Sequence, residues 1–95
     1  MRISQEQRRI ITAAVRKRDD TARVYLFGSR ANAAACGGDI DLLVLSDRIG
    51  FRDELRIRRE ILDAIGWQKL DLLIERKEGP PRPIAQIALA TGMEL

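Results

Sequence analysis

The spacing of hydrophobic residues divides the chain into helices and strands. Apolar residues recur every three or four positions from Ile10 to Val15, in a segment that opens with a capping-box pair, Ser4 and Gln7. In three other segments apolar residues run together or alternate with polar ones, as in strands. The pattern predicts helices at residues 4–18, 29–35, 51–65 and 84–91, the last closed by Gly92, and strands at 22–27, 39–46 and 68–75.

Strands that alternate with helices indicate an α/β (α+β) fold. We expect a small mixed sheet of about three strands flanked by helices, in one domain spanning residues 1–95. In the helix predicted at 51–65, four apolar residues at helical spacing are expected to face the core, namely Phe51, Leu55, Leu62 and Ile65.

The same helix carries three arginines on one face: Arg52, Arg56 and Arg59. They form either a basic patch for a nucleic acid or a partner, or a solvated face with ion pairs between residues four apart. The second interpretation is favoured, because Glu60 and Asp63 stand four positions after Arg56 and Arg59.

Composition limits the classes of function. The chain is 45% hydrophobic and 33% charged, which is typical of a globular protein. It has no apolar run of the roughly 20 residues that span a membrane and no signal peptide, so a cytoplasmic location is expected. There is no His, so acid–base chemistry falls to carboxylates, Lys or Tyr25. A net charge of +3 favours phosphate-bearing ligands, whereas an aromatic content of 4% argues against nucleic acid as a partner.

The most apolar stretch of the chain contains two acidic residues, Asp39 and Asp41, although Asp is depleted in strands. Because strand side chains alternate, both carboxylates point to one face and repel each other. A divalent cation such as Mg²⁺ relieves that repulsion. Asp71, between Leu70 and Leu72 in the last predicted strand, joins them if the two strands are neighbours. Three carboxylates could then hold paired Mg²⁺ ions and activate a hydroxyl nucleophile.

A phosphate-binding turn is predicted just before this acidic strand. Gly28 allows a phosphate to approach closely, Ser29 caps the following short helix and offers a hydroxyl, and Arg30 adds a fixed positive charge. The helix N–H groups and dipole favour an anion at this point. Taken singly, each feature has a structural explanation: Gly28-Ser29 as a turn, Asp39 as a strand-start cap, Asp71 as an ion-pair partner of Lys69 or an arginine.

Taken in order, these residues resemble the nucleotidyltransferase superfamily that includes DNA polymerase β. Its pattern is an apolar strand, Gly-Ser, a spacer, a carboxylate–apolar–carboxylate triplet and a later strand carboxylate. Here nine residues separate Gly28-Ser29 from Asp39-Ile40-Asp41, and Asp71 follows on a later strand. The resemblance covers residues 24–75, and the length suits the minimal nucleotidyltransferases. It implies that Asp39, Asp41 and Asp71 bind metal, that Asp71 also acts as base, and that Gly28, Ser29 and Arg30 bind the triphosphate.

The resemblance also implies a reaction and a partner. Minimal members of this kind are often antitoxins paired with a helical HEPN-type toxin, which they modify. We therefore expect transfer of a nucleoside monophosphate, adenylate from ATP, to a hydroxyl on such a partner, with two Mg²⁺ ions as cofactor. The chain has little room for acceptor contacts, which then come from the partner or a second copy. The alternative is a non-catalytic protein that inhibits its partner by contact alone.

Overall fold

The computed structural model describes residues 3–27, 40–66, 69–79 and 82–95. Within them the helices are α1 (Gln5–Arg16), α2 (Phe51–Ile65) and α3 (Pro83–Thr91), and the strands are β1 (Arg23–Phe27), β2 (Ile40–Leu45), β3 (Leu70–Glu75) and β4 (Met93–Glu94). The short helix predicted at residues 29–35 lies outside the described residues. No helix in the described ranges is long and apolar enough to cross a membrane.

Helix α1 begins where the sequence predicts. Ser4 Oγ accepts a hydrogen bond from the Gln7 N–H at 3.0 Å, and Gln7 Oε1 accepts one from the Ser4 N–H at 3.1 Å. This capping box satisfies N–H groups that have no partner within the helix. The helix buries Ile11, Ala14 and Val15 and ends two residues before the predicted boundary.

The strands form a mixed sheet in the order β3-β2-β1-β4. β1 pairs antiparallel with β2 and with β4, and β2 pairs parallel with β3. The predicted α+β fold with a small mixed sheet is confirmed, and β4 is an addition that sequence reasoning missed. Two residues are too few for a period-two pattern to be detected.

Gly92 connects α3 to β4 and lies close to the backbone of β1. A Cβ atom at this position would lie 2.5 Å from the Ala88 carbonyl oxygen and 2.9 Å from that of Leu26. The sequence predicts Gly92 only as a helix end. The structure adds a second requirement, because any larger residue would push β4 away from β1.

Alternation along the strands separates two apolar layers. On one face, Val24, Leu26, Ile40, Leu42 and Leu70 pack with buried residues of α1 and α2 in the main core. On the other face, Phe27 and Leu43 pack against Ala85 and Ala88 of α3. In β3, Leu70, Leu72 and Ile74 face the main core and Leu73 faces α3, as the alternation predicts. Asp41, on the Leu43 side of β2, therefore belongs to the face that α3 covers.

The prediction of which α2 residues face the core is confirmed for Leu62 and Ile65 and wrong for the other two. Phe51 and Leu55 were expected to face the core, but their exposed fractions are 73% and 49%. The buried residues are Ile57, Ile61 and Leu62. Ile57 lies about 120° around the helix axis from Phe51 at 3.6 residues per turn. The sequence offers two overlapping apolar stripes, and packing against α1 and the sheet selects the one that contains Ile57 and Ile61.

Candidate functional site

Asp41 and Asp71 lie side by side in the sheet. β2 and β3 are parallel, and their register pairs Asp41 with Asp71. Neighbouring strands are about 4.8 Å apart, and residues paired in register project to the same face. Asp41 is half-buried and Asp71 is exposed. The structure thus brings a carboxylate of the Asp39-Ile40-Asp41 triplet next to the carboxylate of the later strand.

The remaining predicted site residues cannot be placed in the same way. Gly28, Ser29, Arg30 and Asp39 all lie outside the described residues, and their assignments stay predictions. The end of β1 and the start of β2 nevertheless fix where this segment leaves and re-enters the sheet. In register, Phe27 pairs with Asp41, so the last residue of β1 lies beside the carboxylate pair.

The structural explanation offered for Asp71 finds no support among the described residues. In the ranges that the structure describes, Asp71 forms no ion pair with Lys69 or with an arginine. Asp71 is therefore an exposed residue whose register partner is a second aspartate, Asp41.

A cavity of about 460 Å³ opens at this carboxylate pair. Its lining combines acidic, basic and apolar side chains: Phe27, Asp41, Arg58, Asp71, Leu72, Leu73 and Ile84. A concave site with mainly apolar walls and a few convergent charged groups is the usual form of a small-molecule site.

Arg58 is the member of this cavity that sequence reasoning missed. It lies on α2, and its Nη1 donates a hydrogen bond to the Leu70 carbonyl oxygen at 2.5 Å. Leu70 is the residue immediately before Asp71, so this bond holds the guanidinium beside the start of β3. A guanidinium stays charged at all ordinary pH values and suits phosphate or carboxylate groups. The sequence signal was weak, because Arg58 is one of four arginines in α2.

An ion pair lies between β3 and the residue that precedes α3. Arg82, which precedes α3, donates to Glu75 Oε1 from its Nε at 2.9 Å and from its backbone N–H at 3.2 Å. The side-chain hydrogen bond from Arg82 holds the pKa of Glu75 below its ordinary value. The contact joins the end of β3 to the start of α3, and Ile84 then lines the cavity.

The two described carboxylates of this site, Asp41 and Asp71, suit a divalent metal. Asp41 and Asp71 provide hard oxygen ligands of the kind that Mg²⁺ prefers. Two carboxylates at strand spacing on one face repel each other, and a bound cation would offset that repulsion. Within the described ranges no group of three or more acidic, His or Cys side chains is placed to hold a metal. The predicted third ligand, Asp39, lies outside those ranges.

A comparison with protein families agrees with this geometry. Residues 9–94 match the family model described as Polymerase beta, Nucleotidyltransferase. The match spans nearly the whole chain, and the protein belongs to this family of nucleotidyltransferases. No curated protein matches the sequence. The predicted membership of the superfamily is therefore confirmed, and nucleotidyl transfer is the activity that the family indicates.

Proposed function

We propose that this protein transfers adenylate from ATP to a hydroxyl group on a HEPN-type partner protein, as the antitoxin of a toxin–antitoxin pair. One observation carries the catalytic part of the proposal. In a member of the nucleotidyltransferase family, Asp41 and Asp71 are register partners at the mouth of a cavity. The resemblance to minimal nucleotidyltransferases supports ATP as donor and a HEPN-type protein as acceptor.

Three carboxylates would hold two Mg²⁺ ions at this cavity: Asp39, Asp41 and Asp71. When bound, such ions neutralise the charge of the phosphates and stabilise the oxygens that enter and leave the reacting phosphorus. Gly28, Ser29 and Arg30, which the sequence predicts to form a turn, would bind the triphosphate. Arg58, which lines the same cavity as Asp41 and Asp71, would add a fixed positive charge there.

Asp71 would act as the general base in the transfer step. It accepts the proton of the acceptor hydroxyl as the hydroxyl oxygen forms a bond to the α-phosphorus of ATP. The bond between that phosphorus and the bridging oxygen breaks, and pyrophosphate leaves. The exposure of Asp71 suits this role, because a group that receives a proton from a second molecule must be reachable from outside.

Intact-mass spectrometry tests the proposal directly. The chain is incubated with Mg²⁺, ATP and a HEPN-type protein encoded beside it, and the acceptor mass should rise by one adenylate. The control reaction replaces Mg²⁺ with EDTA. If the native chain suppresses the activity of the HEPN-type protein while no mass change ever appears, the protein acts by contact alone and the transfer proposal is wrong.

A further inference from the structure

The exposed face of α2 combines apolar and basic side chains. We define the α2 face as Phe51, Arg52, Leu55, Arg56 and Arg59, which lie within about 140° of the helix circumference at 3.6 residues per turn. All five are exposed. The exposed Asp63 falls within the same arc, at the carboxyl end of the helix. This face lies on the α1 and α2 side of the sheet, away from the layer beneath α3.

The apolar residues of the α2 face are adjacent rather than isolated on the surface. Phe51 and Leu55 are one helical turn apart and expose 73% and 49% of their area. Leu55 also lines a cleft of about 400 Å³ between α2 and the end of α1, together with Arg18, Arg56, Arg59 and Glu60. Adjacent exposed apolar residues with a polar rim mark interaction surfaces more often than isolated ones do.

The charge on this face is not neutralised in the way that the sequence predicts. Glu60 was expected to pair with Arg56, but it accepts hydrogen bonds from Arg18 at 2.7 and 2.9 Å. Arg18 is held in place by a further bond from Nη1 to the Ala14 carbonyl oxygen. Of the expected pairs, only Arg59–Asp63 forms, at 3.2 Å.

Arg52 and Arg56 are left without an ion pair among the described residues. Their unneutralised charges lie directly beside Phe51 and Leu55. Phe51 and Leu55 were expected to face the core, and Arg56 was expected to pair with Glu60. All three residues instead lie exposed on the α2 face.

We propose that the α2 face binds an acidic amphipathic helix of a partner protein. Arg52 and Arg56, the two arginines without an ion pair among the described residues, are four positions apart, a spacing that a partner helix matches with two carboxylates four positions apart. Phe51 and Leu55 would pack against the apolar stripe of that helix. The proposal does not depend on nucleotidyl transfer, because binding at this face needs neither ATP nor metal.

Other occupants fit less well. A second copy that presented the same face across a two-fold axis would place arginines against arginines, and the chain already carries a net charge of +3. A nucleic acid would satisfy the arginines, but it would leave Leu55 and most of Phe51 against a polar backbone. An acidic helix satisfies both the charges and the apolar residues.

A defined peptide serves as the probe. The peptide has about 18 residues and an idealised helical sequence, with Leu at positions four apart and Glu at the positions that flank them. A second peptide carries Lys in place of each Glu. Binding of both to the full chain is measured by fluorescence anisotropy without ATP or Mg²⁺. The native chain should bind the acidic peptide at least about tenfold more tightly than the basic one.

Variants locate the binding. Arg52→Glu with Arg56→Glu, and separately Phe51→Ser with Leu55→Ser, should each weaken binding of the acidic peptide about tenfold or more. Matched controls are Arg9→Glu, an exposed arginine of α1, and Ile87→Ser, an exposed apolar residue of α3. Both controls should bind like the native chain, and circular dichroism should show that every variant is folded.

Four results would overturn the proposal. The first is that the acidic peptide does not bind the native chain, and the second is that it binds the α2-face variants as tightly as the native chain. The third is that a single-stranded oligonucleotide binds the native chain more tightly than the peptide does and binds the arginine variant weakly, which would make the face a nucleic-acid site. The fourth is that sedimentation shows self-association of the native chain that Phe51→Ser abolishes, which would make the occupant a second copy.

Discussion

The two ends of β2 hold aspartates in opposite environments. Beyond its carboxyl end, Asp19 is 2% exposed and hydrogen-bonds to Ser46, the residue that follows the strand. At its amino end, Asp41 lies beside Asp71 at the mouth of a cavity. One carboxylate is enclosed by the fold, and the other lines a cavity.

The Asp19 site is saturated with donors. Ser46 Oγ donates to Asp19 Oδ2 at 2.6 Å, and Thr21 donates to Oδ1 from both its hydroxyl at 2.7 Å and its N–H at 3.0 Å. These bonds, that of Ser46 above all, hold the pKa of Asp19 at about 2, below its ordinary value of 3.8. Ser46 Oγ in turn accepts from the N–H groups of Arg48 and Ile49. Asp19 therefore ties the turn before β1 to the turn before α2.

The difference between the sites separates a structural carboxylate from a candidate catalytic one. Burial of a charge is tolerated at Asp19 because the fold supplies every hydrogen bond it needs. At Asp71 the fold supplies no ion pair among the described residues and adds a neighbouring negative charge. Such an arrangement is compatible with the catalytic role proposed for Asp71.

Neutralising Asp71 should produce the largest effect. Asp71→Asn should lower the rate of nucleotidyl transfer about 10²- to 10⁴-fold, the usual contribution of a general base, while ATP binding persists. Rates come from the mass-spectrometric assay and binding from calorimetry. Glu78→Gln, an exposed carboxylate just beyond the other end of β3, is the matched control and should transfer at the native rate. A full native rate in Asp71→Asn would remove it from the catalytic residues.

Neutralising Asp19 should instead reduce stability. Asp19→Asn should lower the free energy of unfolding by about 1–3 kcal/mol, because an amide N–H₂ would face either the Thr21 donors or a Ser46 oxygen that already accepts two bonds. Urea denaturation measures the change, and Asp20→Asn, an exposed neighbour, serves as control. The rate of transfer per folded molecule should be unchanged. A variant as stable as the native chain would mean that the Asp19 hydrogen bonds do not stabilise the fold.

The Asp19 site should also weaken in acid, with a smaller effect. Because its pKa is lower in the folded state, the charged carboxylate stabilises the fold above about pH 3.8, and that contribution is lost as the pH falls toward about 2. The difference in unfolding free energy between the native chain and Asp19→Asn should therefore shrink over this interval. Denaturation curves across the interval measure it. A difference that stays constant would contradict the low pKa.

Local signals determined several features of this protein from the sequence alone. The capping box of Ser4 and Gln7 fixes the start of α1, because both bonds form within one helical turn. The bounds of α2 at Phe51 and Ile65 agree with the prediction. Alternation in β3 assigns Asp71 to the face opposite Leu70 and Leu72 for the same local reason. The family pattern also depends on residue order, and the sequence therefore identified the nucleotidyltransferase superfamily.

Contacts between distant segments decided the rest. The register that pairs Asp41 with Asp71 depends on two strands packing side by side, which no local pattern encodes. Glu60 pairs with Arg18 rather than Arg56, because the chain just after α1 places the Arg18 guanidinium 2.7 Å from the Glu60 carboxylate. Packing of α2 against the main core buried Ile57 and Ile61 and left Phe51 and Leu55 outside. In each case the sequence offered more than one partner for a residue, and only the three-dimensional arrangement of the elements selected among them.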